Sequence, residues 1–241
     1  MESPVEHFEL HRLIPIELFG FDLSINQAVV MMWLVVAAVA LFFILGGRKR
    51  QLVPSKFQSL VEYAVIFLRQ TVLDTIGPSG LVFLPFLTTL FFFILFCNLF
   101  GLIPGSYTVT SQVMVTGVFA LFVYLLSLAV GFWYHGLGFL KVFAPPGVPA
   151  LLMPAMVLIE FFSQTVRPIT LAVRLFANMT AGHMVMSVFF GLMLMGGIWI
   201  GWLPFAVTVP LYILELLVAF IQAYVFVVLT CVYLGEAIHL H

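Results

Sequence analysis

RPITLAVRLFANMTAGH, residues 167 to 183, places two arginines, an asparagine and a histidine in a region otherwise apolar enough to sit in lipid. The whole chain holds nine Lys and Arg among 241 residues, so two of them here demand a physical reason. An arginine at mid-membrane costs about 2.5 to 3.5 kcal/mol on insertion scales, and it is kept where it faces a cavity or a partner. Some forty residues around this stretch, from Leu151 to about Phe190, have helix-compatible composition. Gly196-Gly197, Gly201 and Pro204 follow, and then a second long apolar run from Pro210 to Ile238, within a second helical segment over 204–238. At 1.5 Å per residue the first would be roughly 60 Å long, about twice the hydrocarbon core. It either breaks near Pro168 or lies steeply tilted with its successor as an antiparallel hairpin. Strong tilt is preferred, because neighbouring groups re-satisfy the backbone at a proline inside a membrane helix.

Glu160, Arg167 and Arg174 are spaced by seven, and Gln164, Thr170, Asn178 and His183 fall at nearby helical offsets, making one polar stripe. Glu215 and Gln222 are also seven apart, with Thr230 and Glu236 on roughly the same side. In an antiparallel hairpin facing positions have a nearly constant sum. Arg174 with Gln222, His183 with Glu215 and Glu160 with Glu236 give 396, 398 and 396, which centres the turn near 198, among the glycines. Arg174 finds no carboxylate at a facing position, and Glu160 is about 21 Å away along the axis. Its counter-charge must come from water, lipid or another subunit. Ala177 and Ala181 beside it would let another helix approach closely.

Outward from this stretch the chain reads as an integral membrane protein: 63% hydrophobic and 8% charged, against the roughly 25% charged of soluble domains. A formal net charge of -1 gives no indication of nucleic acid or of an acidic substrate. Ile25–Leu45 is long enough to span, and Arg48, Lys49, Arg50 and Lys56 follow it. This cluster puts that end inside and the N-terminus outside. The first nineteen residues are net acidic and lack the basic region and cleavage site of a signal peptide, so the first span is kept; His7 and His11 read as solvated. Ser55–Ile76 repeats apolar residues at helical spacing with polar interruptions, as in a helix lying along the membrane surface, and Ser55 with Gln58 makes a capping-box start. Leu81–Ile103, closed by Pro104-Gly105, and Gln112–His135 are two further spans. The loop beyond, with Lys141 and Pro145-Pro146-Gly147, returns inside. Cys97 and Cys231 read as buried thiols, Asn98 as an interhelical hydrogen bond, Arg167 as an interfacial anchor, and Glu236, His239 and His241 as solvated near the C-terminus. There is no HExxH pattern and no metal-ligand spacing. A self-contained secondary ion transporter is the rival reading, but neither internal repeats nor interrupted helices in both halves are found.

RPITLAVRLFANMTAGH, Glu215 and the run QAYVFVVLTCVYL from Gln222, together with NLFGLIPG (98–105) and HGLGFLKVFAPPGVP (135–149), resemble subunit a of the F-type ATP synthases over most of the chain. The resemblance implies a non-catalytic proton-channel stator, without cofactor or metal, partnered by a c-subunit ring, b-type peripheral stalk subunits and other synthase subunits in a bacterial plasma membrane. Arg174 matches the family's essential arginine, which faces the ring. Thr170, Asn178 and Glu160 match polar positions of the aqueous route, and Gln222 matches the glutamine opposite the arginine. His183 and Glu215 match positions where the bacterial type most often described carries Glu and His, so the couple is exchanged here. They are assigned to the outer access route, and Glu160 and Glu236 to the inner exit. The expected fold is all-α: three upright transmembrane helices, one surface amphipathic helix and a strongly tilted antiparallel hairpin over about 151–238, all in a single polytopic domain (1–241).

Overall fold

A computed structural model describes residues 12–14, 17–18, 21–22, 24–47, 54–103, 108–143 and 152–239. Ahead of the helices, four short strands pair antiparallel: β1 (Arg12–Ile14) with β4 (Ile25–Asn26), and β2 (Glu17–Leu18) with β3 (Phe21–Asp22). The helices are α1 (Gln27–Gly47), α2 (Lys56–Thr75), α3 (Leu84–Gly101), α4 (Val113–His135), α5 (Met153–Ile200) and α6 (Trp202–Ile238). Five helical segments are long and apolar enough to cross a membrane; the one in α5 reaches Gly196, and α2 is not among the five. The basic cluster Arg48, Lys49 and Arg50, the Pro104-Gly105 turn and the Pro145-Pro146-Gly147 breaker lie outside the described residues, as do His7, His11 and His241.

Local chemistry accounts for most boundaries. The Ser55 hydroxyl accepts from the Gln58 amide at 3.3 Å and caps α2. Half of the expected capping box forms, because the Gln58 side chain donates to Glu62 one turn on instead of reaching back. Gly77 stands at φ 89°, the left-handed region that favours glycine, and the 3-10 turn Pro78–Phe83 then leads into α3. The second span therefore begins in this turn. α5 stays helical through Pro168 and through Gly196-Gly197. Glycine weakens a helix without ending it, so the turn forms at Gly201, between the two long helices.

Two compact units are built from these elements. One comprises Met1–Arg50, Phe92–Val113 and Leu175–Ala223. In it α1 and α3 share an aromatic cluster, Phe42 and Phe43 against Phe92 with centroids 4.9 and 5.0 Å away, and Phe42 against Phe96 at 5.8 Å. Asn98 is fully buried and its amide donates to the Ala219 carbonyl at 3.2 Å, the interhelical bond expected of it. Tyr212 ties α6 to the Leu102 carbonyl.

The other unit comprises Gln51–Phe91, Met114–Arg174 and Tyr224–His241. Its packed interior includes Leu68, Val72, Leu87, Val123, Leu171, Phe226, Val227 and Leu234. α2 buries Val61, Leu68, Thr71 and Val72, while Leu60, Tyr63, Ile66 and Phe67 stay exposed. The latter are the apolar positions a helix lying on a membrane would offer to lipid. His135 at the end of α4 donates to the Ile238 carbonyl at 3.0 Å, capping the last turn of α6. His239 contacts the Ile76 carbonyl at 3.0 Å, so it is tied to the end of α2 rather than simply solvated. Cys97 and Cys231 are free and buried.

Phe226 is a large side chain with no exposed surface. Phe226→Ala should cost about 3 kcal/mol or more through the cavity it leaves. The drop is read as a lower thermal unfolding midpoint of the detergent-solubilised protein, and unchanged thermal behaviour would deny Phe226 a packed setting.

Candidate functional site

α5 and α6 carry the polar residues, and each compact unit assembles its own group of them. In the first unit the Asn178 amide donates to Gln222 Oε1 at 2.9 Å. Gln222 is 3% exposed, and its own amide nitrogen has no partner among the described residues. Glu215 is 7% exposed, and neither carboxylate oxygen has a hydrogen-bond partner among the described residues. Its carboxylate lies against Gly182, where an added methyl group would overlap Oε1. His183, the next residue, directs Nε2 to the Thr108 hydroxyl at 2.8 Å. Helical spacing alone sets His183 directly opposite Glu215. The hairpin does bring Glu215 to this level of α5, but Glu215 meets the glycine and the imidazole is held by Thr108.

The second group lies in the other unit. Arg167 pairs with Glu236 and stands over the Tyr233 ring at 5.9 Å from its centroid. Gln164 donates to Glu160 at 3.1 Å. Thr170 donates back to the Arg167 carbonyl at 2.8 Å, beside Pro168, which supplies no N–H of its own. Gln164, Arg167, Tyr233 and Glu236 line a small recess together with Tyr124 and Ser127 of α4. Two expectations are corrected here. Glu160 is partnered by Gln164 rather than facing Glu236, and Arg167 is an ion-pair partner rather than only an interfacial anchor.

One cause underlies both corrections. With the turn at Gly201, facing positions sum to about 402 instead of 396. Arg167 with Glu236 gives 403 and Asn178 with Gln222 gives 400. Gln222, which spacing set opposite Arg174, therefore receives its bond from Asn178. Placing the turn at Gly201 would have revealed the Arg167–Glu236 pair from sequence. Thr108 and Gly182 had no such signal, since neither residue type is unusual in an apolar helix or a turn.

Arg174 is exposed, and among the described residues no hydrogen bond or ion pair engages its side chain. Ala177, Asn178 and Ala181 follow at helical spacing and are exposed too, whereas Leu171, Leu175 and Met179 are buried. α5 thus buries Leu171, Leu175 and Met179 and leaves Arg174 open beside the small residues Ala177 and Ala181, among larger exposed apolar residues such as Val173 and Met184. Among the described residues no group of three His, Cys, Asp or Glu could hold a metal ion.

The fold and these groups define a class, a multi-pass helical membrane protein whose two longest helices carry ionisable and amide side chains through apolar surroundings. Residues 29–235 match the family described as ATP synthase A chain, and the protein belongs to that family. It is 46% identical to ATP synthase subunit a of Pelagibacter ubique (strain HTCC1062), over 99% of this chain and 98% of the relative. It is 48% identical to ATP synthase subunit a of Acidiphilium cryptum (strain JF-5), over 92% of each, and 48% identical to that of Chelativorans sp. (strain BNC1), over 98% of each.

The contact between Gly182 and Glu215 is testable by a double-mutant cycle. Gly182→Ala should destabilise the protein in the presence of Glu215 and much less in a Glu215→Ser background, with a coupling of about 1 kcal/mol or more. Thermal unfolding of the four variants measures it, and strictly additive losses would mean the two residues do not touch.

Proposed function

We propose that this chain is the proton-conducting stator subunit of an F-type ATP synthase, non-catalytic itself, which forms two offset aqueous half-channels against a rotating ring of c subunits. The observation that carries this reading is the contrast between two arginines of one helix: Arg167 has Glu236, while Arg174 stands exposed on α5 with no acid paired to it among the described residues. A guanidinium in hydrocarbon needs a counter-charge. A ring presenting one carboxylate after another supplies it repeatedly, and Ala177 and Ala181 leave room for a helix to come close. Family membership and the relatives' names support the same assignment.

The mechanism then follows from charge. A ring carboxylate facing lipid is held protonated by desolvation, and beside Arg174 the opposite charge favours its ionised form. Arg174 therefore makes each arriving carboxylate release its proton. Because arginine does not lose its own proton at any reachable pH, it also blocks direct passage between the half-channels. Each unit charge carried across is worth about 2.3 kcal/mol per 100 mV, the work that rotation delivers to ATP synthesis.

His183 and Glu215 serve the outer access route. The unpartnered oxygens of Glu215 and the amide of Gln222 support this, since buried polar atoms without protein partners are the places ordered water occupies. Thr170 and Asn178, one helical turn to either side of Arg174 on α5, and Gln222, bonded to Asn178, serve the aqueous route, and Glu160 and Glu236 serve the inner exit with Gln164, which bonds Glu160 and lines the recess beside Glu236. In the membrane α1, α3 and α4 stand upright, α2 lies along the inner surface, and α5 and α6 are strongly tilted, because 48 residues of helix far exceed a core of ~30 Å. The N-terminus is outside and the C-terminus inside, in a bacterial plasma membrane, beside b-type stalk subunits.

Arg174→Ala, assembled into the complete complex in inverted vesicles, should abolish ATP-driven proton pumping while the subunit remains incorporated. Pumping at the normal rate in that variant would overturn the gate.

A further inference from the structure

We infer that Thr108 is a positioning residue for His183, fixing which ring nitrogen exchanges the proton; this rests on the reading of His183 as a path group. Thr108 lies just ahead of the 3-10 turn Val109–Ser111, is 5% exposed, and sets its hydroxyl 2.8 Å from His183 Nε2. Its backbone is held in turn, since the Ser111 hydroxyl donates to the Thr108 carbonyl at 2.7 Å. The side chain is also confined. A methyl group at Gly101 would lie 2.7 Å from Thr108 Cγ2, so only glycine at 101 lets α3 end this close to the threonine.

The direction of the bonds follows from what each atom can do. Besides His183, the Thr108 hydroxyl meets the Gly101 carbonyl at 3.5 Å, and a carbonyl can only accept. The arrangement that serves both contacts has the hydroxyl donating to Gly101 and accepting from His183, which therefore carries its hydrogen on Nε2. A neutral imidazole held in this way has its free lone pair on Nδ1. A proton from the access route adds to Nδ1 to give the imidazolium and leaves from the same nitrogen, so Nε2–H persists throughout the cycle. The ring is a fixed holder loaded and unloaded on one edge. Conduction then depends on a residue outside α5 and α6.

The test uses the assembled complex with 15N-labelled histidine, in which the His183 resonances are identified by their absence in His183→Gln. Solid-state NMR of the neutral ring should show a protonated Nε2 and an unprotonated Nδ1. Thr108→Val, which keeps the shape and removes the hydroxyl, should mix the two tautomers and slow ATP-driven proton pumping about fivefold, the factor that one hydrogen bond of ordinary strength represents. Thr108→Ser should restore both. A wild-type ring protonated on Nδ1, or a valine variant whose tautomer and pumping match wild type, overturns the proposal. The two readings separate cleanly: if His183→Ala pumps normally the path role of His183 fails, while the nitrogen resonances still decide whether Thr108 sets the tautomer.

Discussion

The turn at Gly201 is the constraint on which the polar chemistry depends, because it sets which residues of α5 can meet which of α6. Moving it by one helical turn would bring Glu160 instead of Arg167 toward Glu236. Two carboxylates would then approach one another and Arg167 would lose its acid, replacing an attraction with a repulsion. The glycines at 196 and 197 leave α5 free to continue, and the position of the turn follows from where the helix finally stops. In the first unit the same reversal lets Asn178 reach Gln222, and it lays Glu215 on Gly182, which has no side chain to obstruct it.

The polar groups fall into two kinds. Asn98, Tyr212, His135 and His239 each have a backbone carbonyl as partner, and they tie helices to one another. Glu215, Gln222 and Arg174 keep atoms without partners among the described residues. A folded chain satisfies most of its buried polar groups. Glu215 and Gln222 are among those left open, as are atoms of Asn26, Thr88, Thr110 and Thr180 and the side-chain oxygen of Asn98, so the open groups are not confined to α5 and α6.

Much of this was legible in the sequence because hydropathy is a strong signal when the backbone must satisfy itself within each span. The helical elements and the start of α2 at Ser55 followed from apolar length and capping chemistry. The polar stripe on α5 was visible because ionisable residues are so few. The pairings were harder. A change of three residues in the assumed turn position moved every facing pair, and the role of Arg167 changed from anchor to ion-pair partner. The short N-terminal strands carry no strong alternation, and Thr108 gains its importance only from the fold, since it lies 75 residues from His183. Family resemblance supplied roles for single residues that spacing alone did not.

The exposed side of α2 has a practical consequence. Leu60, Tyr63, Ile66 and Phe67 form a greasy strip on a helix too polar to be counted among the spans. Extracted from its bilayer, the protein needs surfactant over this strip as well as around the crossing helices. The surfactant belt must therefore cover apolar surface beyond that of the crossing helices alone.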